Sequence, residues 1–289
     1  MITTNAIAQK VKGKIPNGLK HNIKKLIINA NSLTANFRAK PSFIVAGIQK
    51  GGTTSLYNYL CQHPRISPIL QKEIHFFDRN YNKGMGWYLG NFPLKFTIPS
   101  DNIVGEATPT YLYSKNAANR ISEKLPNSKI IIVLRNPVDR AYSDFNYGVK
   151  LGFHKSYKGF RDRINKELEW LNDNISEFQI EKDHSELIGK NCAYLAPGLY
   201  NIWIKYWMNN FKNRLFILTS EEFFGSTEQV LNRIFEFLNL PKHDLGELKT
   251  FNSNDYQRLD LKDKQVLSDF YRPHVLELEQ ILGRELNWV

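Results

Sequence analysis

The feature that most constrains the fold is an apolar run that ends in a glycine-rich turn. Residues 43–55 read FIVAGIQKGGTTS. The β-branched start predicts a strand, and the glycines followed by hydroxyl residues predict a tight loop and a helix N-terminus. Backbone N–H groups, the helix dipole and the Lys50 ammonium would converge on one spot. The segment therefore predicts a site for a phosphate-like anion.

The position of the lysine distinguishes this loop from a nucleotide-hydrolysing P-loop. In the Walker pattern the lysine directly precedes the Ser/Thr that holds magnesium, whereas Lys50 precedes both glycines. The partner strand of such enzymes contributes an aspartate that helps to hold magnesium. Here the run at 130–134 is followed by Arg135. The pattern predicts a P-loop-like α/β fold whose chemistry proceeds without metal.

Length and composition indicate an ordinary globular protein rather than a disordered one. The chain has 289 residues, of which 42% are hydrophobic and 13% aromatic, so it can bury a large core. Cys61 and Cys192 are too few for a disulfide framework and lack metal-ligand spacing. No apolar run reaches membrane-spanning length and no signal-peptide region begins the sequence. The expectation is a cytoplasmic protein.

The positive charge is concentrated at one end of the chain. Residues 1–72 contain 11 Lys/Arg and no acidic residue, while the remainder holds 28 of each sign. We predict a basic N-terminal extension over 1–40 and one catalytic domain over 41–289. The extension is either a solvated or lipid-contacting arm, in peripheral contact with a membrane, or part of a field that steers an anionic ligand.

The order of predicted elements favours a parallel β-sheet flanked by helices on both faces. The predicted strands are 43–48, 103–106, 129–135 and 214–219. Helices are predicted over 53–61, 114–124, 198–211, around 230–238, and over 262–282, and residues 151–190 are predicted to form surface helices and loops. We find no repeat and no linker, which indicates a single domain.

Several motifs, in order along the chain, resemble those of sulfotransferases that use 3′-phosphoadenosine 5′-phosphosulfate (PAPS). KGGTTS at 50–55 resembles the 5′-phosphosulfate loop, and RNPVDRAYS at 135–143 resembles the 3′-phosphate motif. KEIHFFD at 72–78 is similar to the catalytic segment of the heparan sulfate sulfotransferase branch. LGRELNW at 282–288 is similar to a C-terminal signature of bacterial relatives, and APGLY at 196–200 resembles part of the N-sulfotransferase domain.

This resemblance implies an enzyme that uses PAPS as co-substrate, releases 3′-phosphoadenosine 5′-phosphate (PAP) and needs no metal. The residues implied for donor binding are Lys50, Gly51, Gly52, Thr53, Thr54, Ser55, Arg135, Ser143 and Tyr256. The residues implied for catalysis are Lys50, which would stabilise the leaving phosphate, Glu73 as general base, and His75. On the acceptor side the resemblance implies Asp78 beside His75. Trp87 and Tyr111 are further candidates, because aromatic residues are plentiful enough to line a sugar or small-metabolite pocket. The implied acceptor is a hydroxyl, or secondarily an amine, of a carbohydrate or small metabolite.

Each of these residue types also has a structural alternative. Glu73 could be a surface carboxylate paired with Lys72, and His75 could be a wall residue that transfers no proton. Arg135 could serve a structural ion pair at a strand end, and Ser143 could be an ordinary helix serine. The threonines could simply cap a helix. Core packing could explain the aromatic residues.

Two departures from the resembling family affect the acceptor side. The strand before Thr108 reads Glu106-Ala107, where the heparan branch usually carries a lysine after the glutamate. The disulfide-bracketed basic loop of the family is replaced by FNSNDY at 251–256. Heparan itself is therefore not the expected acceptor.

Two other function classes stay open at this point. A P-loop kinase or NTPase would need magnesium, and the displaced lysine and Arg135 argue against it. A non-catalytic binder of polyanions or nucleic acid would use the basic N-terminal arm. Recognised nucleic-acid motifs are missing and residues 73–289 are charge-balanced, so no nucleic-acid partner is expected.

Overall fold

A computed structural model describes residues 17–153, 159–176, 192–246 and 257–288. Its strands are β1 (Phe43–Gly47), β2 (Gly105–Ala107), β3 (Lys129–Leu134) and β4 (Leu215–Thr219). The first helices are α1 (Asn17–Ser32), α2 (Thr53–Leu60), α3 (Phe76–Arg79), α4 (Gly84–Leu89), α5 (Lys115–Lys124) and α6 (Pro137–Lys150). The later helices are α7 (Phe160–Asn174), α8 (Tyr200–Phe211), α9 (Ser220–Gly225), α10 (Thr227–Phe237) and α11 (Leu261–Leu282).

The four strands form one parallel sheet in the order β2-β1-β3-β4. Side chains of a strand alternate between the two faces, and both faces are covered here. Ile44 and Ala46 of β1 join one apolar cluster, whereas Phe43 and Val45 join a second cluster behind the sheet. All five residues of β1 are buried. The prediction of a P-loop-like α/β fold with helices on both faces is confirmed.

The predicted strands match the observed ones within two residues and the predicted helices within three, since α10 begins at Thr227. No helix is predicted at α3, α4 or α9. Strand β2 is also displaced from the prediction of 103–106. Ile103 instead forms an isolated bridge with Ile66, so regular pairing with β1 begins at Gly105. Within 151–190 the structure describes helix α7, and residues 154–158 and 177–191 lie outside the described residues.

Helix α6 starts where β3 ends, and its start is well determined by local chemistry. The side chain of Asn136 accepts hydrogen bonds from the N–H groups of Val138 and Asp139, at 3.0 and 3.4 Å. Pro137 occupies the first helical position, where its missing N–H costs nothing. A cap of this kind stabilises a helix by about 1 kcal/mol. The connection fixes the direction in which α6 leaves the sheet.

The C-terminal segment returns to the same end of the sheet. Gly283 ends α11 with a left-handed φ of 65°, which suits a residue without a Cβ. The chain then brings the carbonyl of Trp288 within 2.9 Å of the Asn136 amide, and Arg284 pairs with Glu222 at 2.8 Å. The 282–288 motif thus ties the last helix to α6 and α9.

Helix α1 packs on the body of the protein. Ile28 is buried, and the amide of Asn31 donates to the carbonyl of Gly90 at 2.8 Å. The buried guanidinium of Arg38 donates to the carbonyls of Asn31 and Phe92. The described part of the N-terminal extension is therefore docked on α4 and the segment after it. The division into residues 1–40 and 41–289 stays a prediction, and residues 1–16 lie outside the described residues.

Candidate active site

A cleft of about 250 Å³ opens where the loop after β1 meets α6 and the segment before α3. Parallel α/β folds bind ligands at the carboxyl ends of their strands, and this cleft lies at that edge. The residues that line it are Gln49, Lys50, Thr54, Glu73, His75, Pro109, Thr110, Asp144, Tyr147 and Lys150.

The loop between β1 and α2 is anchored to the sheet through its backbone. The N–H of Ile48 donates to the carbonyl of Val133 at 2.8 Å, and Ser220 donates to the carbonyl of Gly51 at 2.6 Å. A Cβ on Gly51 would lie 2.8 Å from the Val133 carbonyl oxygen, so this close approach requires glycine. Gly52 precedes α2 with φ of 91°. Glycine offers no side-chain cap, so the first N–H groups of α2 suit an external acceptor such as an anion.

Lys50 projects from this loop toward α6. Its Nζ lies 4.2 Å from the centroid of the Tyr147 ring, a cation–π contact. Burial lowers the pKa of Lys50, and the charge of Asp144 opposes that shift. The positive charges of Arg135 and Arg140 lower the pKa further. A partly desolvated ammonium of this kind interacts strongly with any anion that enters the cleft.

A lysine connects the start of α2 to the predicted base. The ammonium of Lys72 donates to Thr54 Oγ1 at 2.7 Å and pairs with Glu73 Oε1 at 2.8 Å. The Glu73 side chain remains 45% exposed and lines the cleft. Glu73 therefore has both features: its carboxylate is paired with Lys72, as the surface-pair alternative predicts, and it also faces the cleft that Lys50 lines.

His75 is oriented by a buried carboxylate. Its Nδ1 lies 3.1 Å from Asp78 Oδ2, and Thr110 Oγ1 donates to the same oxygen at 2.6 Å. Burial alone would raise the pKa of the Asp78 carboxyl, but the hydrogen bonds from His75 and Thr110 lower it. With Nδ1 facing Asp78, the opposite ring nitrogen of His75 is available to a ligand in the cleft.

Behind this pair lies a buried polar cluster centred on Glu106. Tyr88 donates to Glu106 at 2.7 Å, Thr108 at 2.9 Å and Tyr111 at 3.4 Å. The Tyr111 hydroxyl also accepts the N–H groups of Phe76 and Phe77, at 3.0 and 3.3 Å. The cluster thereby fixes the start of α3, immediately after His75.

Backbone strain is concentrated in the cleft. In the described part of the chain, six non-glycine residues have positive φ, and three of them are Lys50, Glu73 and His75, at 67°, 59° and 51°. The left-handed conformation costs such residues roughly 1–2 kcal/mol each. Strain of this kind tends to accumulate at functional sites, where the surrounding structure enforces it.

The structure brings several predicted residues together. Lys50, Thr54, Glu73 and His75 share the cleft, and Arg135 reaches the loop through a hydrogen bond to the Lys50 carbonyl. The loop glycines, Thr53 and Ser55 belong to the turn and the first turn of α2, where Thr53 and Ser55 are buried. Ser143 is buried on α6. Tyr256 lies outside the described residues.

The three residues predicted for acceptor binding do not line the cleft. Asp78 is buried behind His75 and holds its ring. Tyr111 is fully buried and hydrogen-bonded within the Glu106 cluster, so its position does not support a direct acceptor contact. Trp87 packs against the core beside Phe76, with the Lys83 ammonium 4.3 Å from its ring centroid. Core packing accounts for these two aromatic residues, and likewise for the buried Trp203 and Trp207.

Sequence reasoning missed the contribution of α6 and Thr110. Asp144, Tyr147 and Lys150 line the cleft from one side of α6. These residues follow the 135–143 motif and lie three positions apart, which is the spacing of one helix face. That signal was available in the sequence. Thr110 had no signal of its own, because its role depends on the fold bringing it to Asp78.

The described residues form neither a metal-binding cluster nor a membrane-spanning helix. Within those residues no cluster of three or more His, Cys, Asp or Glu side chains is arranged to hold a metal ion. No helix among them combines the length and hydropathy needed to cross a bilayer.

Most of this chain is similar to proteins of one family. A family model described as a sulfotransferase domain matches residues 40–268. The membrane-associated sulfotransferase kil1 of Dictyostelium discoideum is 28% identical over 86% of this chain and 66% of its own length. The human heparan sulfate glucosamine 3-O-sulfotransferase 3B1 is 26% identical over 86% of this chain and 65% of its own.

A solved structure and a longer curated relative are also similar to this chain. A sulfotransferase from Alicyclobacillus acidocaldarius superposes with a TM-score of 0.67 and 27% identity, over 86% of this chain and 99% of that one. The mouse bifunctional heparan sulfate N-deacetylase/N-sulfotransferase 4 is 28% identical over 84% of this chain, but over only 30% of its own length. The chain thus spans two thirds or less of the curated relatives it matches.

Proposed function

The chain belongs to the sulfotransferase family, and we propose that it transfers a sulfuryl group from PAPS to a carbohydrate or small-metabolite acceptor. The acceptor atom is a hydroxyl oxygen, or secondarily an amine nitrogen. The observation that carries the proposal is the convergence of Lys50, Thr54, Glu73 and His75 on one cleft. That cleft joins the loop resembling a phosphosulfate site to the segment resembling a catalytic one.

The donor side of the cleft has the chemistry that PAPS requires. The glycine-rich loop presents uncapped N–H groups at the start of α2, and Lys50 adds a partly desolvated ammonium. Lys50, Thr53 and Thr54 would hold the 5′-phosphosulfate. Arg135, whose planar guanidinium suits a phosphate, and Ser143 would hold the 3′-phosphate, together with Tyr256.

The proposed reaction is an in-line displacement at sulfur. The bond between sulfur and the bridging phosphate oxygen breaks while the acceptor oxygen forms a bond to sulfur, and PAP leaves. By analogy with loose phosphoryl transfer, negative charge builds on the bridging oxygen. Lys50 and the loop N–H groups stabilise that charge. A sulfuryl group carries one negative charge less than a phosphoryl group, which is consistent with a metal-independent reaction.

Glu73 is the proposed base that accepts the acceptor's proton. Its side chain is exposed to the cleft and its carboxylate is held by Lys72, which also contacts Thr54 on the donor side. His75, held through Nδ1 by Asp78 and Thr110, offers its other ring nitrogen to the acceptor hydroxyl. In this arrangement Glu73 and His75 are catalytic residues, and Asp78 is a positioning residue.

The proposed acceptor class is based on the chain's similarity to curated relatives and on the positions where its sequence differs from the heparan sulfate branch. Curated relatives are named for heparan sulfate N- and 3-O-sulfotransferases, which supports a carbohydrate acceptor. The lysine that usually follows the strand glutamate is replaced by Ala107, so we propose an acceptor other than heparan. A cytoplasmic location and a bacterial origin are part of the same proposal.

The decisive experiment measures sulfuryl transfer and donor binding separately. Purified protein is incubated with PAPS labelled in sulfur and a panel of sugars and small hydroxylated metabolites, with and without EDTA. We expect labelled product and PAP release that EDTA does not abolish. Calorimetry should show PAP binding more tightly than AMP. Equal affinities for PAP and AMP, or hydrolysis of ATP that requires magnesium, would support the kinase or NTPase alternative instead.

A further inference from the structure

Helix α1 carries an apolar stripe on the face that points away from the protein. Ile23, Leu26, Ile27 and Ala30 follow the i, i+3, i+4, i+7 spacing of one helix face, and all four are exposed. Leu26 is 69% exposed. The opposite side of the helix makes the contacts with the body, through the buried Ile28 and the amide of Asn31. This helix therefore turns its apolar stripe toward the outside.

The docking of α1 keeps the stripe in this orientation. A Cβ on Gly90 would lie 2.6 Å from the carbonyl oxygen of Ile28, so the helix approaches the backbone of the body very closely. Arg38 is buried just beyond the helix and donates to the carbonyls of Asn31 and Phe92. Because both ends of the contact are fixed, the helix cannot rotate its stripe inward without breaking these hydrogen bonds.

Further exposed apolar side chains lie in the segments next to α1. Leu33 and Phe37 follow α1 and are 88% and 64% exposed. Arg38 forms a bridge with Leu94, which brings the segment of Phe37 beside the segment that carries Phe96, itself 76% exposed. Large exposed apolar patches of this kind mark interaction surfaces. We call the exposed apolar residues of 23–37 together with Phe96 the α1 face.

The positive charge around the α1 face indicates an anionic binding partner. Residues 1–72 contain no acidic residue, and neither do residues 79–100, the other segment that forms this surface. Lys24, Lys25 and Lys95 are exposed on the two segments. An apolar stripe bordered by lysines is the pattern of a helix that lies in a membrane interface, where anionic lipid headgroups attract the lysines. A second copy of the chain would bring like charges together.

We propose that the α1 face docks this protein on the surface of an anionic lipid bilayer. The side chains of Ile23, Leu26 and Ile27 would enter the boundary between headgroups and acyl chains, and the lysines would contact the headgroups. This docking does not depend on which donor or acceptor the cleft binds.

The test is sedimentation of the full chain with vesicles of phosphatidylcholine, and with vesicles that contain about 30% phosphatidylserine. We expect binding to the anionic vesicles at least about tenfold stronger than to the neutral ones, and weaker binding as salt rises. The double variant Leu26→Gln/Ile27→Gln should lose about tenfold in partitioning. Lys24→Gln/Lys25→Gln should lose the preference for anionic vesicles. Leu276→Gln, at an exposed leucine of α11, is the matched control and should bind as the wild type does.

Three outcomes would overturn the proposal. The wild-type protein could stay in the supernatant with anionic vesicles. The Leu26→Gln/Ile27→Gln variant could sediment as the wild type does. Sedimentation velocity could instead show a dimer that this variant converts to monomer, which would assign the α1 face to a second copy. Circular dichroism of each variant, and sulfuryl transfer to a water-soluble acceptor, check that fold and catalysis are intact.

Discussion

The guanidinium of Arg135 donates a hydrogen bond from Nη1 to the main-chain carbonyl oxygen of Lys50, at 3.0 Å. Arg135, proposed to bind the 3′-phosphate, therefore also supports the Lys50 loop, which is proposed to bind the 5′-phosphosulfate. The main-chain carbonyl of Arg135 in turn accepts a hydrogen bond from Tyr200 at 2.9 Å. The end of β3 and the loop after β1 thus form one connected unit.

This double role makes an Arg135→Met variant informative. A charge-assisted hydrogen bond contributes about 1.5–3 kcal/mol, so PAP binding should weaken by about 10- to 100-fold. AMP lacks the 3′-phosphate and should lose much less. Calorimetry with both nucleotides separates the two roles. If the variant loses the same factor in affinity for AMP as for PAP, Arg135 acts only as an anchor for the loop. Arg233→Met, at an exposed arginine of α10, is the control.

Lys50→Ala should abolish transfer and leave the fold intact. The lysine side chain contacts the Tyr147 ring rather than the core, so its removal costs little stability. Loss of one group that stabilises a developing oxyanion lowers kcat by about 10²–10³-fold. Steady-state kinetics with PAPS gives the measurement, and Lys242→Ala, at an exposed surface lysine, is the control. Near-normal turnover of Lys50→Ala would contradict its assigned role.

Glu73→Gln should lower kcat by about 10²–10⁴-fold while PAP affinity is nearly unchanged, because a general base acts on the proton rather than on donor binding. Glu236→Gln on the exposed side of α10 is the matched control. His75→Asn is the companion variant, since asparagine tolerates the left-handed backbone at this position. If His75→Asn loses more activity than Glu73→Gln, the histidine rather than the glutamate is the base.

Much of the fold could be predicted because the central strands are long and apolar. The runs at β1 and β3 are buried on both faces, and such strands produce a clear sequence signal. Strand β2 has only three residues, and Ile103, two residues before it, bridges Ile66. Helix α3 has four residues, too few for any periodicity. Both short elements are fixed by tertiary contacts.

The candidate site likewise contains residues that local sequence predicts and residues whose roles depend on tertiary packing. The loop with Lys50 is encoded locally, since Gly51 and Gly52 are needed for its close approach and its positive φ. The roles of Asp78 and Tyr111 could not be read locally. Both are acceptor-side candidates in the sequence, yet both side chains point into buried hydrogen-bond clusters. Whether a polar residue faces a cleft or supports it from behind depends on how the segments pack.

The buried carboxyl of Glu106 should make the stability of the fold depend on pH. Burial raises the pKa of Glu106 to about 7, although hydrogen bonds from Tyr88 and Thr108 oppose the shift. The ordinary value is 4.5, so between these two pH values the folded state holds a proton that the unfolded state has released. The free energy of unfolding therefore falls as pH rises through this window and levels off above it.

Glu106→Gln should remove this dependence, because an amide stays neutral and still accepts hydrogen bonds. Each pKa unit corresponds to about 1.4 kcal/mol, so wild type should lose on the order of 3 kcal/mol more than the variant between pH 4.5 and pH 7.5. Urea unfolding at several pH values measures the difference, and Glu236→Gln controls for the loss of a surface charge. Parallel pH profiles for wild type and Glu106→Gln would mean that the buried carboxyl titrates normally.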